Sequence, residues 1–144
     1  MDTTRSMTPQ HRMLDHEKLR SYQLSLELVG WLEPFWETIP SRLSVKDQLD
    51  RASTSIPLNI AEGNGKYTGK DRCHYFDIAR GSALECAPAL DVLNIKKLLS
   101  SDQLMHGKEI IAGIISTLVG LIKNNSGYRL HEEHAEYETT PRGD

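Results

Sequence analysis

Apolar residues recur at three- and four-residue steps along most of this chain, and no alternating stretch is long enough for a strand. The organising run is Gln48 to Glu85, where Leu49, Ala52, Ile56 and Ile60 fall on one helical face. Pro57 lies inside that run. A proline there removes one amide donor and crowds the carbonyl four residues back, so a kink is expected. Ile56 and Ile60 keep phase across it, which predicts one bent helix from Val45 to Glu62. The hydroxyls of Ser53, Thr54 and Ser55 stand one turn earlier, within reach of carbonyls that a bend exposes. Glu62-Gly63-Asn64-Gly65 ends the pattern, with glycine expected to supply a left-handed cap. Thr68 to Asp71 has the spacing of a capping box, and Phe76, Ala79, Ala83 and Cys86 or Ala87 carry the next apolar face.

Upstream, from Asp15, Leu19, Tyr22, Leu26 and Val29 form one stripe, and Leu24, Leu28, Trp31 and Phe35 form a second on an adjacent flank. One stripe a little over about 100° wide normally suffices for a surface helix. Two stripes indicate either a helix sunk deeply in its own bundle or a subunit interface made by Leu24, Leu28, Trp31 and Phe35. Pro34 is expected to bend the end of this helix and Ile39-Pro40 to stop it. Ser44 to Asp47 has capping-box spacing and opens the second helix. The third runs from about Gly69 towards Leu99, with Pro88 costing a hydrogen bond near Leu84. Ser100 to Gln103 opens the fourth, whose stripe is Leu104, Ile111, Ile114, Leu118 and Leu121, closed at Asn124 to Gly127. Gly113 and Gly120 share a face and are expected to admit a neighbouring backbone. The pattern predicts an all-α fold, an antiparallel up-down-up-down four-helix bundle over residues 14–128. A disordered segment, 1–13, precedes it, and an acidic, flexible tail, 129–144, follows.

At 144 residues the chain is one ordinary domain, long enough for a core without disulfides or metal. Its start is polar and lacks the apolar segment of a signal peptide. No run of about 18 apolar residues is present, so no membrane span is expected. Cys73 and Cys86 lie about 20 Å apart along one helix, too far to bridge, which suits buried thiols in a reducing cytoplasm. The net charge of −3 speaks against a generic nucleic-acid binder, but the charge is uneven. From His131 onward five acidic residues face one arginine, a net of −4, leaving +1 on residues 1–130. A nearly neutral body can still carry a local basic patch.

Lys66, Lys70 and Arg72, with Tyr67 interleaved, are the densest basic group, and Lys96 and Lys97 come next. Such residues suit phosphate contacts, while Asp71 and Asp77 dilute them into an ordinary solvated loop. Asn59 and Glu62 flank the Gly63 turn, and Arg51, Arg80 and Glu85 lie on neighbouring helical surfaces. A carboxylate–guanidinium pair tying the second helix to the third is the plainer reading of that group. Metal signals are weak. Asp71-x-x-His74 occurs once, where a di-metal bundle needs two such pairs and further glutamates, and His131-Glu-Glu-His134 sits in the charged tail. No phosphate-binding loop, dinucleotide fingerprint or hydrolase motif is present. No cofactor, no metal and no enzymatic activity are expected.

Two separated motifs carry a resemblance. Arg51-Ala52 leading into Ser55-Ile-Pro57-Leu-Asn59-Ile-Ala-Glu62-Gly63, then Ile78-Ala-Arg80-Gly81-Ser82 with Glu85, resembles the four-helix-bundle family associated with intervening sequences in bacterial 23S rRNA. The resemblance spans roughly Leu19 to Lys123; Pro34 and Pro88 depart from the family pattern. It implies a left-handed antiparallel bundle that assembles into a ring, usually a pentamer, and no established catalysis. It also favours the interface reading of the doubled stripe. A more distant likeness is to the accessory subunit of diversity-generating retroelement reverse transcriptases. The functional expectation is a non-catalytic ring scaffold binding RNA or a reverse-transcriptase-type partner; the alternative is a purely structural homo-oligomer.

Overall fold

The computed structural model describes residues 12–127. Residues 1–11 and the acidic stretch from 128 lie outside that range, so the expectations placed on them are not addressed. Four α-helices carry the described chain: α1 Arg20–Leu32, α2 Ser44–Asn64, α3 Gly69–Ile95 and α4 Ser101–Asn125. Short 3-10 segments, Asp15–Lys18 and Glu33–Thr38, flank α1, and no strand occurs among the described residues. Each helix packs on its sequence neighbours, and α1 also packs on α4. This cyclic contact order is the expected up-down-up-down bundle, with α1 and α3 on opposite corners.

The core is one cluster drawn from all four helices. Leu28, Leu49, Ile56, Ile60, Phe76, Leu90, Ile114 and Leu118 are fully enclosed. Leu24 and Leu28 belong to this cluster and face the chain's own interior, which corrects their assignment to a subunit interface. The two α1 stripes are equally apolar, so periodicity alone could not say which one points inward. Trp31 and Phe35 are half-buried against the core and meet edge to face, ring centroids 5.0 Å apart.

Pro57 and Pro88 leave their helices unbroken, as expected for Pro57 from the phase of its neighbours. Pro57 is buried within a continuous α2, and Ile56 and Ile60 both point inward. Ser53 Oγ donates to the Asp50 carbonyl one turn back (3.2 Å). Pro88 lies on the exposed side of a continuous α3. Pro34 falls at the start of the 3-10 segment, where its fixed φ suits the tighter turn.

Caps follow the expected chemistry at two of three helices. Ser100 Oγ accepts from the Gln103 amide (3.1 Å) while Gln103 Oε1 accepts from the Ser100 amide (2.8 Å), a full capping box. Thr68 Oγ1 accepts from the Asp71 amide (3.1 Å). α2 differs: Ser44 is already helical, and the cap position, Leu43, offers no side-chain acceptor. α3 ends in a Schellman arrangement at Lys97, whose φ is +64°. The Leu98 amide donates to the Leu93 carbonyl and the Lys97 amide to the Asn94 carbonyl. A lysine in this left-handed position is strained where glycine is not. Lys97→Gly should therefore raise stability by about 1 kcal/mol, read as a higher urea midpoint with an unchanged slope.

The glycines depart from the sequence expectation. No described glycine has positive φ, so the left-handed cap expected near Gly63 does not form; Gly65, at the α2 C-cap, has φ −85°. Gly63 serves close approach instead. A Cβ there would stand 2.9 Å from both the Arg72 carbonyl oxygen and the Phe76 ring. Gly69 likewise abuts the Asn125 carbonyl, and Gly107 lies against Leu90 and Trp31. Gly113 touches only a Leu24 methyl and Gly120 faces open space, so neither admits a backbone as expected.

α4 also qualifies the membrane expectation. By length and composition it is apolar enough to cross a membrane, with a mean hydropathy of 1.4. Its Ile110, Ile111, Ile114, Leu118 and Ile122 nevertheless pack inward on the bundle core.

Candidate functional site

The α2–α3 turn was the favoured basic site, and its geometry divides the cations there into two kinds. Arg72 turns inward. Its Nε donates to Asn125 Oδ1 (2.8 Å), Nη1 to the Asn64 and Lys66 carbonyls (2.9 and 3.2 Å) and Nη2 to Asn64 Oδ1 (2.9 Å). Four of the five guanidinium hydrogens are thus committed, and the group stitches the turn to the end of α4. This corrects the assignment of Arg72 to phosphate contact. Asn64 extends the seam by donating from Nδ2 to Asp15 Oδ2 (2.9 Å).

Lys66 and Lys70 face outward. Lys66 Nζ lies 3.0 Å from Glu62 and 5.2 Å from the Tyr75 ring centroid. The hydrogen bond and charge of Glu62, then Tyr75, hold its ammonium above the usual lysine range. Lys70 is exposed, and between the two Tyr67 stands wholly in solvent, 100% exposed. Lys96 and Lys97 are exposed at the other end of α3, about 40 Å away at 1.5 Å per residue. The fold does not bring the two lysine groups together.

The α2–α3 polar residues form a seam built on Ser55. Asn59 Nδ2 donates to the Ser55 carbonyl and to Ser55 Oγ, both 2.9 Å, and Ser82 Oγ donates to Ser55 Oγ at 2.9 Å. Ser55 as the hub was not foreseen, because its partner on α3 is distant in sequence. The expected guanidinium–carboxylate tie is absent among the described residues. Glu62 pairs with Lys66, and Arg51, Arg80 and Glu85 are exposed outside any ion pair. Arg51 and Glu85 line a groove of about 320 Å³ with Gln48, Ala52, Ser55 and Ser82. A second groove, about 280 Å³ and more apolar, continues past Val45, Pro88, Ala89 and Val92.

The described residues offer little for chemistry. No group of three His, Cys, Asp or Glu side chains is placed to hold a metal. Burial, with Glu85 adding to it, pushes the Cys86 thiol up to about 12, so it carries no thiolate at neutral pH. Cys73 Sγ is buried and donates to the Ile122 carbonyl.

What decides the family is a match of residues 17–120 to the model of the 23S rRNA-intervening sequence protein. The chain belongs to that family. Among solved structures, a protein of unknown function from the S23 ribosomal protein family of Bacteroides thetaiotaomicron is similar, at 23% identity and a TM-score of 0.62. The match covers 72% of this chain and 94% of that one, and it supports the fold alone. No curated protein matches the chain. For this intervening-sequence family member, the motif residues Arg51, Asn59, Glu62, Arg80, Gly81 and Glu85 lie on the α2–α3 surface rather than in the core.

Proposed function

We propose that this protein is a non-catalytic helical scaffold that assembles with copies of itself and works beside RNA in the cytoplasm. A ring, with five as the size the family leads one to expect, is the form proposed, and a reverse-transcriptase-type protein is a further candidate partner. The observation that carries the assembly is the outer side of α3, where Leu84, Val92 and Ile95 are 46, 40 and 78% exposed. Exposed apolar surface gathered on one helix face supports an interaction surface. Nothing in the described chemistry calls for catalysis.

The RNA reading rests on Tyr67, held in solvent between Lys66 and Lys70. An exposed ring can stack a base while flanking ammonium groups meet phosphate, a sequence-tolerant mode with strong salt dependence. The test is a salt series of binding curves to a single-stranded RNA. It compares the intact chain, a chain ending at Leu130, and Lys66→Ala/Tyr67→Ala/Lys70→Ala. The triple variant should bind at least about tenfold more weakly, since one lost stack is worth roughly 1–3 kcal/mol. The shortened chain should bind more tightly at low salt, because about four negative charges are gone. Silence from both intact and shortened chains at low salt would leave the purely structural homo-oligomer. Binding that ignores the triple substitution would move the site, with Lys96 and Lys97 next in line.

A further inference from the structure

Three helix-interior glycines, Gly30, Gly81 and Gly120, have no counterpart inside the chain, and the first two form a pair. Gly30 on α1 and Gly81 on α3 are exposed, and a Cβ on either would meet nothing within 4 Å. Glycine weakens a helix relative to alanine, so intrachain packing gives no reason for either. They sit at matching levels. The start of α1, the end of α2 and the start of α3 share one end of the bundle, as the Asn64–Asp15 hydrogen bond shows. Counting rise per residue from that end, Gly30 lies about 15 Å up and Gly81 about 18 Å up. They also occupy opposite corners, because α1 packs on α2 and α4 while α3 completes the square.

The surroundings of the two glycines are complementary. Leu26 on α1 and Leu84 on α3, each near its glycine, are both 46% exposed. From Ser21 to Pro40 the only charged residues are Glu27, Glu33 and Glu37, all exposed. On the α2–α3 side, Arg80 adjoins Gly81 on α3, and Arg51 lines the α2–α3 groove together with Glu85. None of these charged groups is in an ion pair among the described residues. Arg51 and Arg80 stand about 20 and 17 Å up, Glu27 and Glu33 about 11 and 20 Å, so the opposite charges overlap in level.

We infer that α1 of one copy seats on the outer face of α3 of the next, Gly30 passing over Gly81, with Glu27 and Glu33 meeting Arg80 and Arg51. The inference rests on the self-assembly proposed above and names the two surfaces that meet. Because they lie on opposite corners, the contact is head-to-tail and propagates from copy to copy until the rotation closes a ring.

Charge reversal tests the pairing, read as mass by light scattering across a micromolar dilution series of the intact chain. Arg51→Glu/Arg80→Glu and Glu27→Arg/Glu33→Arg should each weaken association by about a hundredfold or more, through like-charge contact. Mixing the two variants should restore association, because each supplies the surface the other lacks. Gly81→Gln should lower the assembled mass while leaving the monomer's thermal midpoint equal or higher, an outcome that excludes misfolding as the cause. A wild-type chain that is monomeric throughout would overturn both the self-assembly and this contact. An oligomeric wild type whose mass survives both reversals and Gly81→Gln would overturn this contact alone.

Discussion

Replacing Arg72 with methionine should destabilise the fold by about 3 kcal/mol, seen as a drop in the denaturant midpoint at fixed protein concentration. Methionine keeps the aliphatic stem against its neighbours but removes every donor. The Asn64 carbonyl and side-chain oxygens, the Lys66 carbonyl and Asn125 Oδ1 then lose the group they share. Hydrogen bonds to a charged donor contribute roughly 1.5–3 kcal/mol each, but this site is only partly buried and water replaces some of them. A total near 3 rather than three times that follows. Arg72→Lys should recover little, since one ammonium cannot span acceptors on α2, the turn and α4 at once. A loss below about 0.5 kcal/mol for Arg72→Met would mean that the guanidinium hydrogen bonds contribute little to the fold.

Gly63→Ala should cost about 2 kcal/mol net. Alanine gains about 1 kcal/mol of helix preference over glycine, which favours the substitution. Against this, the added methyl would lie 2.9 Å from the Arg72 carbonyl and the Phe76 ring. One obstacle is backbone and the other a fully enclosed ring, so relief requires α2 and α3 to part, at roughly 3 kcal/mol. Gly120→Ala supplies the control: it faces open space and should stabilise by about 1 kcal/mol. Denaturation midpoints moving in opposite directions for the two alanines would establish close approach at Gly63. A stabilised Gly63→Ala would refute it.

The four helices were legible because their apolar residues keep a helical period and because Ser100 and Thr68 announce helix starts by local chemistry. Leu49, Ile56, Ile60 and Phe76 could be placed inward from spacing alone. Contacts between positions far apart in sequence could not. Gly63 reads as a turn residue until Phe76 is known to press on it. Arg72 reads as one more surface cation until Asn125, 53 positions away, is seen to accept from it. The doubled stripe of α1 misled for a related reason. Leu24 and Leu26 are chemically equivalent, and only the placement of α4 decides that the first is enclosed and the second exposed.

The Arg72 seam has a consequence in time. The turn joining α2 to α3 is short, so their pairing closes a small loop and can form early. The Nε–Asn125 bond cannot form until α4 has returned to the same end of the bundle, after most of the chain has already condensed. Contacts completed after the transition state slow unfolding while barely touching the rate of folding. The Nε–Asn125 bond therefore acts as a latch on a finished bundle, adding to how long the folded chain persists, while the bonds to Asn64 and Lys66 can form with the turn itself.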